Sequence, residues 1–216
     1  MRSIAFLTHK GGVGKTTLTA ALAVAAAAAG EKVIALDLDL QGSLVRWSER
    51  RKAANAPNTV VIEPLETERL PQLPAILDGF AGVGFTLAVF DTADADAGAV
   101  RLIIDSVDLC LLPARPTRLD VDAAAATFRA TFLANRKAAF VLNQCPATRR
   151  SPRVGEAAKE LLRLGVLAEP KLAARNDFPD AIAAGLGVTE YARAGKAAQE
   201  IEALWHWIRC PRLMPG

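Results

Sequence analysis

One octamer in this chain has the residue types and the spacing to bind phosphate: Lys10-Gly11-Gly12-Val13-Gly14-Lys15-Thr16-Thr17. It follows an apolar run at residues 4–7 and precedes an alanine-rich stretch, which is the order of strand, glycine loop and helix that a phosphate-binding loop requires. Glycines let successive N–H groups point at an anion, and the start of the helix adds the positive end of its dipole. We therefore expect Lys15 to reach the β- and γ-phosphates of a nucleotide and Thr16 to hold Mg²⁺.

The loop departs from the common pattern G-x-x-x-x-G-K-[ST], because His9 stands where that pattern has its first glycine. A second lysine, Lys10, opens the loop instead. Since Lys15 already occupies the cradle, Lys10 is poorly placed to reach the same oxygens from the same side. Two nucleotides that face each other across a dimer interface need extra positive charge, and Lys10 could supply it to the partner's nucleotide. The alternative is a lysine that is only solvated on the loop.

Acidic residues end two other apolar runs. Asp37 and Asp39 follow a run at residues 33–36, and Asp91 ends a run at residues 85–90. In a parallel sheet, the carboxyl ends of the strands face the ligand crevice. Asp91 alone would be weak evidence, but together with the glycine loop it predicts a Walker B acid that supports Mg²⁺.

The elements that must position these residues alternate between apolar runs and helical patterns, which predicts βαβ units. We expect an α/β P-loop NTPase fold, with a mostly parallel sheet of about seven or eight strands and helices on both faces. Residues 1–210 should form a single domain and residues 211–216 a loose tail. The expected strands are residues 4–7, 32–37, 59–62, 85–91, 107–113, 138–143 and 166–168, and the main expected helices are residues 16–29, 69–80, 119–133, 153–164, 177–184 and 196–208. A further helix with Leu44, Trp47 and several arginines is expected after Ser43.

Composition sets broad limits on function. The chain has 216 residues, of which 51% are hydrophobic, and this suits one α/β domain with a sizeable core. The net charge of +3 permits contact with nucleic acid without proving it. The three cysteines, Cys110, Cys145 and Cys210, argue against a disulfide framework and favour a reducing cytosol. We expect neither a signal peptide nor a membrane span.

The octamer resembles the deviant Walker A loop of the ParA/MinD group of P-loop ATPases. The segment Asp37-Leu38-Asp39-Leu40-Gln41-Gly42-Ser43 resembles that group's D-x-D-P-Q-x-S segment, and Asp91-Thr92-Ala93 resembles its Walker B segment. The spacing of Asp108, Pro113, Pro116 and Asp120 is similar to the stretch that follows. The resemblance covers residues 2–195. It is strongest to the small ParA-type (ParF-like) partition ATPases.

The resemblance implies ATP and Mg²⁺ as cofactors and a Mg-dependent ATPase activity. It assigns catalytic roles to Lys10, Lys15 and Asp39, with Lys10 crossing to the nucleotide of the partner subunit and Asp39 orienting the attacking water. The metal would be supported by Thr16, Asp39 and Asp91. The nucleotide would be bound by Gly11, Gly12, Val13, Gly14, Lys15, Thr16, Thr17 and Asn143, with the Asn143 side chain bonded to adenine.

The chain departs from the group's pattern at two places. Leu40 replaces the usual proline after Asp39, which loosens that loop. Ala93-Asp94 replaces Pro-Pro or Pro-Gly after the Walker B acid, and Asp94 with Asp96 adds negative charge there. We still expect ATP binding despite these departures. The properties that they could change are the rate of hydrolysis and the switching.

Basic residues outnumber acidic ones ten to four between residues 115 and 163. An ordinary solvated face and a phosphate-binding surface fit this composition about equally well. The resemblance favours non-specific DNA binding in the ATP state. The candidate contacts are Arg149, Arg150, Arg153, Arg193 and Lys196.

The resemblance further implies a homodimer with ATP sandwiched in it, a small centromere-binding activator protein, and a cytoplasmic, nucleoid-associated switch that partitions plasmid or chromosomal DNA. Two alternatives stay open: a MinD-like membrane-associated positioning ATPase, and a nucleotide-dependent metabolic enzyme of the same superfamily. The last helix carries Ile201, Leu204, Trp205 and Ile208 on one face, but acidic Glu200 and Glu202 would be repelled by anionic lipid. We therefore expect this helix to pack on the sheet rather than to bind a membrane.

Overall fold

The computed structural model describes residues 1–92, 97–148, 151–210 and 213–214. Within these ranges, seven parallel strands form one sheet in the order β3-β2-β4-β1-β5-β6-β7, which confirms the expected fold class. The strands are β1 (Arg2–Phe6), β2 (Val33–Asp37), β3 (Val60–Pro64), β4 (Leu87–Asp91), β5 (Leu109–Ala114), β6 (Ala138–Leu142) and β7 (Val166–Leu167). Four of them, β2, β4, β5 and β6, are buried along their whole length, as continuous apolar runs predict for parallel strands covered on both faces.

Helices connect the strands. They are α1 (Lys15–Ala28), α2 (Ser43–Ala53), α3 (Leu73–Gly82), α4 (Ala97–Ser106), α5 (Arg118–Leu133), α6 (Pro152–Leu164), α7 (Asp177–Ala183), α8 (Val188–Tyr191) and α9 (Lys196–Ile208). The helix expected at residues 69–80 begins only at Leu73, after a 3-10 turn over Thr67–Gln72, because Pro71 and Pro74 suit a turn and a first helical position rather than a helix interior.

Two helices, α4 and α8, were not expected. In α4, Val100, Ile103 and Ile104 are buried at helical spacing, so the pattern was present in the sequence. The four-residue helix α8 is too short to leave a periodic pattern.

Alternate strand residues point to two separate cores. Ile4 and Phe6 of β1 pack with α1, α2, α7, α8 and α9, whereas Ala5 and Leu7 pack on the opposite face with α3, α4, α5 and α6. Helix α1 lies close to the residue that precedes α8, because a Cβ atom on Gly187 would lie 2.6 Å from the Val24 side chain.

The C-terminal helix α9 buries Ile201, Leu204, Trp205 and Ile208 in the first core, which confirms the prediction that it packs on the sheet. Met214 is also buried in that core at 1% exposure, and the division into a domain and a tail stays a prediction. The rest of the tail, residues 211, 212, 215 and 216, lies outside the described residues. Across the described ranges, none of the helices combines the length and the apolarity that crossing a membrane requires.

Candidate functional site

The glycine loop joins the carboxyl end of β1 to the N-terminus of α1, as its sequence context predicts. An open cleft of about 560 Å³ lies over it, lined by Gly11, Gly12, Val13, Gly14, Lys15, Thr16, Thr17, Asp39, Leu40, Gln41 and Thr92. Gly12 and Gly14 have φ angles of +75° and +94°, which favour glycine and direct the loop amides inward. The Lys15 ammonium donates to the Thr8 carbonyl at 3.3 Å, so it is held at the base of the cleft.

Two side-chain amides that follow the end of β6 donate hydrogen bonds to the glycine loop. The Asn143 side-chain nitrogen donates to the Val13 carbonyl at 2.7 Å, and that of Gln144 donates to the Gly12 carbonyl at 3.0 Å. A Cβ atom on Gly14 would lie 2.7 Å from the Asn143 nitrogen, so this approach requires glycine. The contact of Asn143 with adenine stays a prediction, and the contact with the loop was not foreseen. The contact of Gln144 with the loop was also not predicted, because the sequence offered no signal for it other than its position beside Asn143.

The Asp91 carboxylate lies buried beneath the cleft at 1% exposure, and neither of its oxygens accepts a hydrogen bond of normal geometry. Burial and, to a lesser extent, the nearby carboxylates of Asp37 and Asp39 raise its pKa to about 7, against the opposing effects of the Thr16 hydroxyl and the Lys15 ammonium. A buried carboxylate whose oxygens accept no hydrogen bond of normal geometry, next to a hydroxyl, fits a divalent cation of the Mg²⁺ type. The residues expected to support the metal are therefore suited to it.

Asp37 shapes the loop that carries Asp39. One oxygen of the buried Asp37 carboxylate accepts the Asp39 amide at 3.0 Å, and the other accepts the amides of Leu44 and Val45 at 3.0 Å each. The last two are first-turn donors of α2, which would otherwise lack partners. Asp37 thus ties the loop to the start of α2, a role that the sequence did not reveal.

Hydrogen bonds within the loop that follows Asp37 hold it in a turn. An Asp39 carboxylate oxygen accepts the Gln41 amide at 2.9 Å, and the Asp39 carbonyl accepts the Gly42 amide at 2.7 Å. Asp39 therefore sits at the rim of the cleft in an ordered turn. Leu40, which replaces the usual proline, projects from this turn with 97% of its surface exposed.

Lys10 does not line the cleft over its own loop. Its ammonium lies 3.4 Å from an Asp120 carboxylate oxygen at the start of α5. Asp120 also accepts from Arg115 at 3.0 Å and from the Thr117 hydroxyl. Burial alone would raise the pKa of Asp120, but the hydrogen bonds from Thr117 and Arg115 outweigh it, and the pKa lies below its ordinary value. The second lysine is thus held away from the nucleotide cleft of its own subunit.

The predicted DNA contacts are not brought together on one face. Exposed Arg153 lies in the first turn of α6 on one side of the sheet, whereas exposed Arg193 precedes α9 and exposed Lys196 begins it on the other side. Arg149 and Arg150 lie outside the described residues, and so do Ala93, Asp94 and Asp96 of the segment after the Walker B acid. Cys110 and Cys145 are buried free thiols.

Comparisons with known proteins place the chain in a family. The sequence model of the VirC1 protein family matches residues 1–200. Maintenance of carboxysome distribution protein A of Gloeobacter kilaueensis is 35% identical over 209 residues, which cover 94% of this chain and 89% of that protein. Protein virC1 of Rhizobium rhizogenes is 33% identical over 129 residues, which cover 60% of this chain and 55% of that protein.

Solved structures share the fold at lower sequence identity. Apo McdA of Cyanothece superposes with a TM-score of 0.80 at 16% identity, covering 96% of this chain and 99% of that one. The cell division ATPase MinD of Pyrococcus furiosus gives a TM-score of 0.75 at 21% identity, covering 96% and 98%. MinD of Pyrococcus horikoshii, solved with Mg-ADP, gives 0.74 at 18% identity, covering 100% and 98%.

Proposed function

The chain belongs to the VirC1 family and to the ParA/MinD group of P-loop ATPases, and from this premise we propose that it is an ATP-dependent dimerising switch that positions cargo. The observation that carries the proposal is the glycine loop, whose Lys15 and Thr16 lie beside the buried carboxylate of Asp91. MgATP is the ligand whose charges this arrangement complements.

In the proposed reaction, each residue acts on a stated part of the nucleotide. The loop amides and Lys15 bind the phosphates, while Thr16, Asp39 and Asp91 support Mg²⁺, which when bound neutralises charge on the phosphate oxygens. Asp39, at the rim of the cleft, orients the water that attacks the γ-phosphate. Lys10 leaves Asp120 and reaches the nucleotide of the partner subunit, where it stabilises the charge of the transition state.

The proposal extends to the cargo that the switch positions. We infer non-specific DNA binding in the ATP state, through exposed cations that include Arg193 and Lys196, and release when a partner protein stimulates hydrolysis. Plasmid or chromosomal DNA is the first candidate cargo. A large protein body is the second, because the 35% identical relative is named for carboxysome distribution.

The experiment that tests the switch compares two lysine variants. Lys15→Ala should abolish ATP binding, because it removes the cation at the base of the cleft. Lys10→Ala should keep ATP binding and lose hydrolysis together with the ATP-dependent dimer, because its proposed target is the partner's nucleotide. Lys52→Ala, an exposed lysine on α2, is the matched control and should do neither. A normal hydrolysis rate for Lys10→Ala would refute the cross-subunit role.

A further inference from the structure

Large apolar side chains protrude where α5 and α6 end. We define this amino-edge patch as Phe132, Leu133, Leu164 and Val166. Phe132 and Leu133 are 72% and 79% exposed, and Leu164 and Val166 are more than two-fifths exposed. The patch is continuous across the two helices, because the Phe128 ring stacks on Phe132 with 6.5 Å between centroids and fills the space where a Cβ atom of Gly165 would lie. Such an apolar cluster on a surface marks an interaction site.

Cations surround this patch. They are Arg129, Arg136, Lys137 and Arg163, all exposed. The chain has no acidic residue from Ala123 to Lys137. Arg136 donates to the Asp105 carbonyl, and the Asp105 carboxylate is itself paired with Arg101. The charge around the patch is therefore strongly positive, and a second copy of the same surface would be repelled.

The position of the patch keeps it away from the nucleotide. The patch lies where α5 and α6 lead into β6 and β7, at the amino edge of the sheet, whereas the glycine loop, Asp39 and Asp91 lie at the carboxyl edge. The patch therefore stays exposed when two subunits meet across their nucleotides. It is also separate from α9, whose apolar face is buried in the core.

We propose that the amino-edge patch binds an anionic phospholipid surface. Its apolar side chains project outward instead of lining a groove, which suits insertion between headgroups. The arginines and the lysine that surround the patch have long aliphatic stems, which can lie along apolar surface while their charged ends meet lipid phosphates. Charge complementarity thus selects anionic over neutral lipid, and the projecting side chains distinguish this surface from one that only binds DNA phosphates.

Co-sedimentation of the full-length protein with vesicles tests the proposal. We expect binding to vesicles of phosphatidylcholine with phosphatidylglycerol, with or without ATP, and little binding to phosphatidylcholine alone. Phe132→Ser with Leu133→Ser should weaken binding at least about tenfold, because the variant removes the inserted side chains. Leu119→Ser is the matched control, since Leu119 is 70% exposed at the other end of α5 and should leave binding unchanged.

A second variant, which changes charge instead of apolar surface, separates a loss of lipid binding from a folding defect. Arg129→Glu with Arg163→Glu should also weaken vesicle binding, and added salt should weaken the binding of the unaltered protein. Both double variants should keep the thermal unfolding temperature and the affinity for duplex DNA of the unaltered protein. No binding to anionic vesicles would overturn the proposal and assign the patch to a protein partner. Equal binding by the serine variant, or a parallel loss of DNA binding, would also overturn it.

Discussion

The Lys10 ammonium lies 3.4 Å from the Asp120 carboxylate within one subunit. If Lys10 acts on the partner's nucleotide, this ion pair must break before the dimer is complete. Asp120 keeps its charge at neutral pH, because its pKa lies below the ordinary value. The pair therefore favours the separate subunit and sets part of the cost of dimerisation.

Asp120→Asn should make ATP-dependent dimerisation easier. Because the Lys10 end of this ion pair is partly exposed to solvent, the pair contributes about 0.5 kcal/mol, so releasing two of them per dimer should tighten the dimer by about fivefold. Sedimentation with a non-hydrolysable ATP analogue measures the effect. Asp122→Asn, an exposed acid on the same helix paired with Arg118, is the control and should change nothing. Weaker dimerisation of Asp120→Asn would contradict this explanation.

Asp91→Asn should stabilise the nucleotide-free protein while removing its response to MgATP. Burial raises the Asp91 pKa from 3.8 to about 7, so the fold is penalised once the unfolded chain ionises above pH 3.8. The penalty grows until about pH 7 and is constant above it, on the order of 4 kcal/mol. Asparagine carries no charge and should remove this penalty.

Thermal unfolding of Asp91→Asn with and without MgATP checks both effects. We expect a higher unfolding temperature than the unaltered protein above pH 7, no difference below pH 3.8, and a much smaller rise when MgATP is added. Asp78→Asn, an exposed acid on α3, should leave both measurements unchanged. A destabilised apo variant would show that Asp91 has a partner even without the metal.

Asn143→Ala should weaken the binding of nucleotides without changing the preference for the base. Its amide nitrogen bonds to the Val13 carbonyl at 2.7 Å, so its loss loosens the loop that binds every triphosphate. Removing such a buried bond costs about 1 to 3 kcal/mol, which is about 5- to 150-fold in affinity. Binding of ATP and GTP is the measurement. A selective loss of ATP affinity would favour the predicted contact with adenine.

Much of the site could be predicted because its signals are local in the sequence. The glycine loop and the strand that ends in Asp91 are contiguous patterns, and parallel strands bring their carboxyl ends to one edge. The ion pair of Lys10 with Asp120 and the bond of Asn143 to Val13 join residues more than a hundred positions apart. Nothing in the spacing of those residues specifies which side chain meets which loop.

The candidate DNA surface shows the same limit at a larger scale. The candidate contacts chosen from the sequence join Arg153 with Arg193 and Lys196, but the structure puts α6 and α9 on opposite faces of the sheet. Strand order and the face that each helix covers are decided by tertiary packing. A one-dimensional pattern of charges therefore overestimates the size of any one basic surface.

Arg193→Ala with Lys196→Ala should lower the affinity for duplex DNA in the presence of ATP. Two fewer phosphate contacts should reduce the slope of log affinity against log salt by about two, with little dependence on DNA sequence. Fluorescence anisotropy over a range of salt measures this slope. Arg153→Ala, on the other face, reports whether a second surface contributes. An unchanged slope in the double variant would place the DNA contacts elsewhere.

Glu190→Gln should destabilise the fold near neutral pH and much less in acid. Both Glu190 oxygens accept from the buried Arg51 guanidinium, at 2.6 and 2.7 Å, and the variant leaves that cation without a counter-charge, at a cost of about 3 kcal/mol. Burial would raise the Glu190 pKa, but bonds from Arg51 and the Gly187 amide lower it below 4.5. The stabilisation is therefore complete above pH 4.5 and is lost as pH falls through the folded-state pKa. Urea unfolding at neutral pH and in acid measures this stabilisation, with the exposed Glu49→Gln variant as the control. An equal loss of stability under both conditions would contradict the ion-pair explanation.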